Sequence, residues 1–246
     1  MTKADIQFVR SLSDKRVRDT ERLFVAEGAK LVEEIVASTM KVRRIYTTRD
    51  DVEGQSVERI ERRDMERISQ LKTPTDTLAV VCQPRHELNL DRVFGGLVLA
   101  LDGVQNPGNM GTILRLADWF GVEDVVCSAE CADCYNSKVV QATMGAILRI
   151  RVHYVESLPQ FLDEALRRDV PVYGTLLDGK NIYNERLSER GVVVMGNEGR
   201  GVSDACRSRL THALLIPPYP QDATTSESLN VAMATGIVLA EFRRRM

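Results

Sequence analysis

Three short segments of this 246-residue chain concentrate side chains able to bind, orient or polarise a substrate. In LDGVQNPGNMGTILRLADWFGVEDVV (101–126), an apolar run enters a loop rich in Asn and Gly. A helical stripe of Ile113, Leu116, Ala117 and Phe120 follows, with Asn109 as its expected N-cap. Arg115 lies off that stripe in the second turn, directed toward the strand end. In VVVMGNEGRGVSDACRS (192–208), a β-branched run stops at a turn with three glycines in six residues, and Glu198 sits between two of them. Such glycines let the backbone approach a ligand closely while a carboxylate is held at the strand end. In LLIPPYPQDATTSESLNVAMATGIVLAEF (214–242), a Pro-rich turn and a polar loop precede a helix. Its expected stripe is Leu229, Ala232, Met233, Gly236, Ile237 and Ala240. Ser226 or Ser228 is the expected cap, and with Asn230 they set hydroxyl and amide groups at the positive end of the helix dipole.

Taken singly, these features are also what a surface arginine, a solvated glutamate on a tight turn and a capped helix look like. Other chemistries fare worse. The three histidines fall outside the segments, so a nucleophilic triad or histidine-based hydrolysis has little support. Neither GxGxxG nor GxxxxGK[ST] occurs, which counts against a dinucleotide or P-loop enzyme. Cys127, Cys131 and Cys134 lie close together, but no second pair follows at the spacing of a four-ligand zinc site. The five cysteines are read as reduced thiols, with no metal expected.

The segments need a scaffold that gathers strand ends. From about Val93, strands are expected at Leu97–Leu101, Val125–Cys127, Val172–Thr175, Val192–Met195 and Ala213–Ile216. Helices are expected near Asn109–Phe120, Leu158–Arg168 and Asn230–Arg244. That alternation implies a parallel sheet covered on both faces, with ligands beyond the carboxyl ends of the strands. The preceding residues read as a small α/β unit. It has a helix from about Asp5, a polar loop, strands at Leu23–Ala26, Val42–Tyr46 and Leu78–Cys82, and a helix over Ala29–Val36. Asp64 is the expected cap of a further helix running to Leu71. The expected divisions are 1–83, a polar linker 84–95, and 96–246. With 43% apolar and 28% charged residues and no apolar run of membrane-spanning length, the composition is that of a soluble, cytoplasmic protein. A net charge of −2 argues against nucleic-acid binding by bulk electrostatics alone, but Lys15, Arg16, Arg18 and Arg22 form a local basic cluster, as do Lys41, Arg43, Arg44 and Arg49. Such clusters are either solvated faces or localised phosphate-binding surfaces.

Together, NPGNMGTILRLADWFGV, VVVMGNEGRGVS and IPPYPQDATTSESLNVAMA resemble the three motifs of the SpoU/TrmH family within the SPOUT superfamily. The likeness runs over roughly residues 96–246, and RDTERLFVAEGAKLVEEIV (18–36) resembles the small substrate-binding domain that often precedes it. The resemblance implies an α/β protein: a small N-terminal α/β domain, then a parallel-sheet SPOUT methyltransferase domain with a C-terminal trefoil knot. It implies S-adenosylmethionine as methyl donor, held at Leu176, Gly196, Ile216 and Leu229, and transfer to a ribose 2′-hydroxyl of RNA. Arg115 aligns with the family's catalytic arginine, Asn109 with its supporting asparagine, and Glu198, Ser228 and Asn230 with the polar residues of the second and third motifs. A guanidinium stays protonated below about pH 12, so Arg115 is read as binding a phosphate or the developing alkoxide, with the proton acceptor left open. The basic cluster Lys15, Arg16, Arg18 and Arg22 becomes an expected RNA surface, and a homodimer is expected. Ribosomal RNA is favoured over transfer RNA. A catalytically silent RNA-binding module of the same fold is the remaining alternative, though a silent copy has no reason to keep Arg115, Glu198 and SLN together. One departure is the loop YPQDATTSE before Ser228, longer than is usual in the family.

Overall fold

The computed structural model describes residues 1–54, 56–220 and 228–244. The chain starts with a capping box: the Thr2 hydroxyl accepts the Asp5 amide at 3.1 Å, and the Asp5 carboxylate accepts the Thr2 amide and hydroxyl. This begins α1 (Lys3–Ser11). The expected polar loop is instead largely a second helix, α2 (Lys15–Glu21), because Asp14 caps it through the Arg16 amide.

Strands β1 (Leu23–Glu27), β2 (Val42–Thr47), β3 (Val57–Arg59) and β4 (Thr77–Cys82) form one sheet in the order β1-β4-β2-β3. Helices α3 (Ala29–Ala37) and α4 (Arg62–Ile68) cover it. Period-two alternation sorts the faces. Leu23, Val25, Leu78 and Val80 join Val9 of α1 and Met65 of α4, whereas Phe24, Ala26, Ala79 and Val81 meet Val32 and Ile35 of α3. Asp64 does not cap α4. Glu61 stands at the cap, and Asp64 lies inside the helix, paired with the N-terminal amine and Arg67.

In the rest of the chain follow α5 (Leu90–Val93), β5 (Leu97–Leu101), α6 (Pro107–Trp119), β6 (Asp124–Ser128), α7 (Ser137–Thr143), β7 (Arg151–Val155), α8 (Leu158–Arg167), β8 (Val172–Asn181), β9 (Gly191–Met195), α9 (Asp204–Arg207), β10 (His212–Leu215) and α10 (Val231–Arg244). The chain divides into two compact units, Met1–Arg85 with Asp133–Leu148, and His86–Ala132 with Arg149–Met246. Two parts of this differ from a simple division at a linker. Helix α5 falls within 84–95 and leads Val93 and Phe94 into the core of the second unit. Segment 133–148, with α7, belongs to the first unit, where Val140 is buried among Phe24 and Ile35.

The second unit is built on a six-stranded sheet in the order β10-β8-β9-β5-β6-β7, with every neighbouring pair parallel. Val98, Ala100, Val126, Val192 and Val194 pack against Leu158, Phe161, Leu162 and Ala165 of α8. Helix α10 buries Val231, Ala232, Thr235, Val238, Leu239 and Phe242. This is not the expected stripe: Ala232 is shared, but Met233 is 63% exposed and Leu229 50%. A helix this apolar offers two candidate stripes, and periodicity alone does not choose between them. Strand β7 escaped the sequence pattern because Arg151 and His153 interrupt it; both pair with the buried carboxylate of Asp124. Where β10 meets β8 the register jumps, from Ala213 opposite Gly174 to Leu214 opposite Lys180. Gly179 permits that approach, since a Cβ there would lie 2.6 Å from the Leu214 backbone. No helix among the described residues is long and apolar enough to cross a membrane.

Candidate active site

The site is assembled where β5 and β9 end side by side. The β5 end leads to Asn106, whose side chain accepts the amides of Gly108 at 2.8 Å and Asn109 at 3.2 Å. Asn106, not Asn109, is therefore the N-cap of α6, with Pro107 at the first helical position, where no amide is needed. The β9 end turns sharply through Asn197–Gly201, which exchange two backbone hydrogen bonds of 2.9 Å. Gly196 is required there: a Cβ would lie 2.2 Å from the Gly201 carbonyl carbon and 2.3 Å from the Val202 nitrogen.

The two loops are joined by side chains. Asn197 accepts the amides of Gly199 and Arg200 at 2.9 and 3.1 Å, and its Nδ2 donates to the Gly103 carbonyl at 2.7 Å. Glu198 accepts from the Asn106 amide at 3.0 Å, the Gln105 amide at 3.3 Å and Asn109 Nδ2 at 3.0 Å. Partial burial pushes the Glu198 carboxyl up, but the bonds from Asn109, Asn106 and Gln105 outweigh it and hold the group below the usual glutamate range.

Donating to Glu198 leaves the Asn109 oxygen as an acceptor, and Asn230 Nδ2 donates to it at 3.0 Å. The Asn230 oxygen in turn accepts the amides of Ala232 and Met233 at 3.0 and 3.3 Å, so Asn230 caps α10. Of the residues expected at that cap, Ser228 is exposed upstream and Ser226 lies outside the described residues. At the far end, Arg243 of α10 donates to the carbonyls of Phe120 and Gly121 at 2.7 and 3.1 Å. Helices α6 and α10 thus run parallel, and Glu198 stands at the amino end of α6. A carboxylate is favoured at such a positive helix end.

Arg115 is exposed on α6, and no hydrogen bond or ion pair joins it to another described residue. Three of the expected cofactor positions lie in or just after the neighbouring strands β8, β9 and β10, and the fourth precedes α10. Leu176 falls inside β8, which is longer than expected, just past the last residue paired with β9; it is half-buried against the core. Gly196 is buried after β9, Ile216 is half-buried after β10, and Leu229 is half-exposed before α10. Among the described residues no group of three or more His, Cys, Asp or Glu side chains could hold a metal ion.

In the first unit, Lys15, Arg16 and Arg22 are exposed, Lys15 and Arg16 pairing only with neighbouring aspartates. Arg18 is different and corrects the expected RNA surface. Its side chain is 3% exposed, donates to Asp133 at 2.5 and 3.0 Å, and donates to the carbonyls of Leu12 and Ser13 at 2.8 Å. A guanidinium so enclosed cannot meet phosphate. Asn106 and Asn197 were missed by the motif reading, although Asn before Pro at a helix start is a capping signal visible in sequence.

The sequence model of the SpoU rRNA Methylase family matches residues 96–240, and that of the MRM3-like substrate binding domain matches residues 3–79. The chain is 33% identical over 241 residues to the 23S rRNA (guanosine(2553)-2′-O)-methyltransferase RlmP of Bacillus subtilis, spanning 95% of this chain and 94% of that one. It is similar to a solved TrmH-family structure from Porphyromonas gingivalis, with 38% identity, coverage of 100% and 99%, and a TM-score of 0.89. An AdoMet-bound rRNA methyltransferase from Sinorhizobium meliloti is 27% identical, with coverage of 100% and 96% and a TM-score of 0.84.

Proposed function

Because the chain belongs to the SpoU rRNA methylase family, we infer that it is an S-adenosylmethionine-dependent RNA 2′-O-ribose methyltransferase acting on ribosomal RNA. The fold is the family's α/β fold, with a small N-terminal domain and a parallel-sheet SPOUT domain of the knotted class. The observation that carries the catalytic reading is the chain Glu198–Asn109–Asn230, which ties the three motif segments together at the start of the helix that carries exposed Arg115. S-adenosylmethionine supplies an electrophilic methyl group when bound. Half-buried Leu176 and Ile216, with exposed Leu229, suit the walls of an adenosine site, and buried Gly196 lets backbone approach it.

In-line attack on a methyl group asks mainly for positioning, so the protein's work is to fix two reactants at one angle. Glu198 holds the Gln105–Asn109 backbone, Asn109 and Asn230 lock the start of α10, and Arg115 binds the phosphate or the developing 2′-alkoxide. Ser228 stands beside this network as a substrate-hydroxyl ligand. No metal takes part in this scheme. The first unit, through Lys15, Arg16 and Arg22, serves as the RNA-binding part, and the second, His86–Ala132 with Arg149–Met246, as the methyltransferase part. A homodimer is supported by the apolar residues at the start of α10 that no described residue covers, Met233 at 63% exposure and Leu229 before it at 50%.

The test is methyl transfer from labelled S-adenosylmethionine to unmodified ribosomal and transfer RNA by the wild-type and Arg115→Ala proteins. Labelled 2′-O-methylnucleosides in ribosomal RNA, formed by the wild type alone, are the expected result. Preferential labelling of transfer RNA would overturn the substrate assignment. S-adenosylmethionine binding without transfer to either RNA would favour the silent-module reading.

A further inference from the structure

The loop from β5 to α6 brings the Gln105 and Asn106 amides to Glu198, and it is fixed by a residue outside the three motif segments. Ser128 is the last residue of β6 and is 6% exposed. Cys127 pairs with Leu101 across the sheet, so Ser128 falls level with the first residues beyond β5. Its Oγ accepts the buried Gly103 amide at 3.0 Å. The Gly103 carbonyl accepts from Asn197 Nδ2 at 2.7 Å. Both polar atoms of Gly103 are thus held, the amide from the exit of β6 and the carbonyl from the exit of β9. Gly103 has a φ of +72°, a conformation that glycine enters and leaves at little cost, so it is the point at which this loop would otherwise swing. One residue on, the carbonyl of buried Val104 accepts the Ala132 amide at 2.8 Å. The next two amides, of Gln105 and Asn106, reach Glu198. The oxygen of the same Asn197 accepts the Gly199 and Arg200 amides. A continuous set of bonds therefore runs from Ser128 through Gly103 and Asn197 to the turn that presents Glu198.

We propose that Ser128 is a positioning residue for methyl transfer: its buried hydroxyl fixes the Gly103 peptide, and through it the Gln105–Asn109 segment and the seat of Glu198. Removing the oxygen strands a buried amide, which costs more than the bond itself contributes. The peptide escapes that state only by turning. Turning pulls the carbonyl from Asn197 or carries the Gln105 and Asn106 amides off Glu198, since the intervening chain is only two residues long. A misplacement of about 1 Å at a reacting centre costs on the order of a hundredfold, so a fall of about ten- to a hundredfold in kcat is expected. The cofactor should be little affected. Its expected positions lie in or after β8, β9 and β10 and before α10, and β5 and β9 separate β6 from β8 and β10 in the sheet. The loss therefore belongs to the transition state rather than to uniform binding.

The effect on rate rests on the methyltransferase reading, whereas the anchoring of Gly103 does not, and the test separates the two. The full-length wild type, Ser128→Ala and Ser128→Thr proteins are compared by steady-state methyl transfer to unmodified ribosomal RNA, by calorimetry with S-adenosylmethionine and by amide exchange. Ser128→Ala should lose about ten- to a hundredfold in kcat, keep its affinity for S-adenosylmethionine, and exchange the Gly103 amide at least about tenfold faster. Ser128→Thr keeps the oxygen and should recover both rate and protection. Combined with Glu198→Gln, Ser128→Ala should cost less than the product of the separate losses, because both act on one loop. If Ser128→Ala does not fold, Ser128→Val against Ser128→Thr makes the same comparison, the two side chains sharing a shape and differing in the hydroxyl. Unaltered exchange at Gly103 would overturn the proposal. So would a folded Ser128→Thr as slow as Ser128→Ala, or a loss confined to S-adenosylmethionine affinity. A wild type that methylates no RNA would instead refute the enzymatic reading, leaving exchange at Gly103, Gln105 and Asn106 to decide this one.

Discussion

Replacing Glu198 by Gln keeps the side-chain shape and removes the charge that three donors converge on. Two of those bonds are well formed at 3.0 Å, and the third is longer at 3.3 Å. A hydrogen bond to a charged group contributes about 1.5–3 kcal/mol against about 0.5–1.5 for a neutral one, so two bonds lose about 2 kcal/mol together. Glu198 is largely exposed, and competing solvent reduces that to about 1–1.5 kcal/mol. In addition, the glutamine NH2 must turn toward water, since its neighbours here are donors. Expressed in the transition state, the loss amounts to roughly a tenfold fall in kcat. The assay is steady-state methyl transfer, with the affinity for S-adenosylmethionine measured separately by calorimetry. The fall should appear in kcat, and Glu198→Gln should be strongly non-additive with Asn109→Ala, because both break one chain of bonds. A kcat within twofold of wild type, or additive effects of the two substitutions, would refute the claim that this carboxylate positions the α6 start.

The pH dependence of the same group has a defined sign. Its folded pKa lies below the unfolded value of about 4.3, so the stabilisation is complete above that value and is lost as pH falls through the folded one. Amide protection at Gln105 and Asn106 should therefore hold down to about pH 5 and decline below about 4, and Glu198→Gln should abolish that step. Gly196→Ala places a Cβ 2.2 Å from Gly201 and should destabilise the protein by at least about 1–3 kcal/mol in denaturant unfolding, with weakened S-adenosylmethionine binding; an unchanged midpoint would contradict the close approach. Arg18→Ala strands Asp133 with its partner gone and should lower the stability of the first unit by about 3–5 kcal/mol, read as an earlier thermal transition; a loss under about 1 kcal/mol would mean the pair is not structural.

The local grammar of this chain was largely legible. Apolar runs marked β5, β6, β9 and β10, because a buried strand imposes its character on neighbouring residues; α6 formed where expected, but its buried side is Met110, Ile113, Leu114 and Ala117, so Leu116 and Phe120 of the expected stripe are only half-buried. The three polar segments stood out only in combination, since a carboxylate between glycines or an arginine one turn into a helix is by itself also an ordinary turn or surface residue. Boundaries and caps were less legible. Asn106 and Asn109 are both credible caps by type, and only the path of the chain into α6 chooses Asn106.

Tertiary structure decided what depends on distant partners. Sequence placed Arg18 in a basic cluster, yet a carboxylate more than a hundred residues away draws it inside. The assignment of 133–148 to the first unit has the same origin, since Val140 and Tyr135 find their apolar partners on β1. The face of α10 that is buried, and the meeting of Glu198, Asn109 and Asn230, likewise follow from helices α6 and α10 lying parallel. Composition and periodicity report what each segment can bury or bond; which partner satisfies it is settled only when the whole chain has closed.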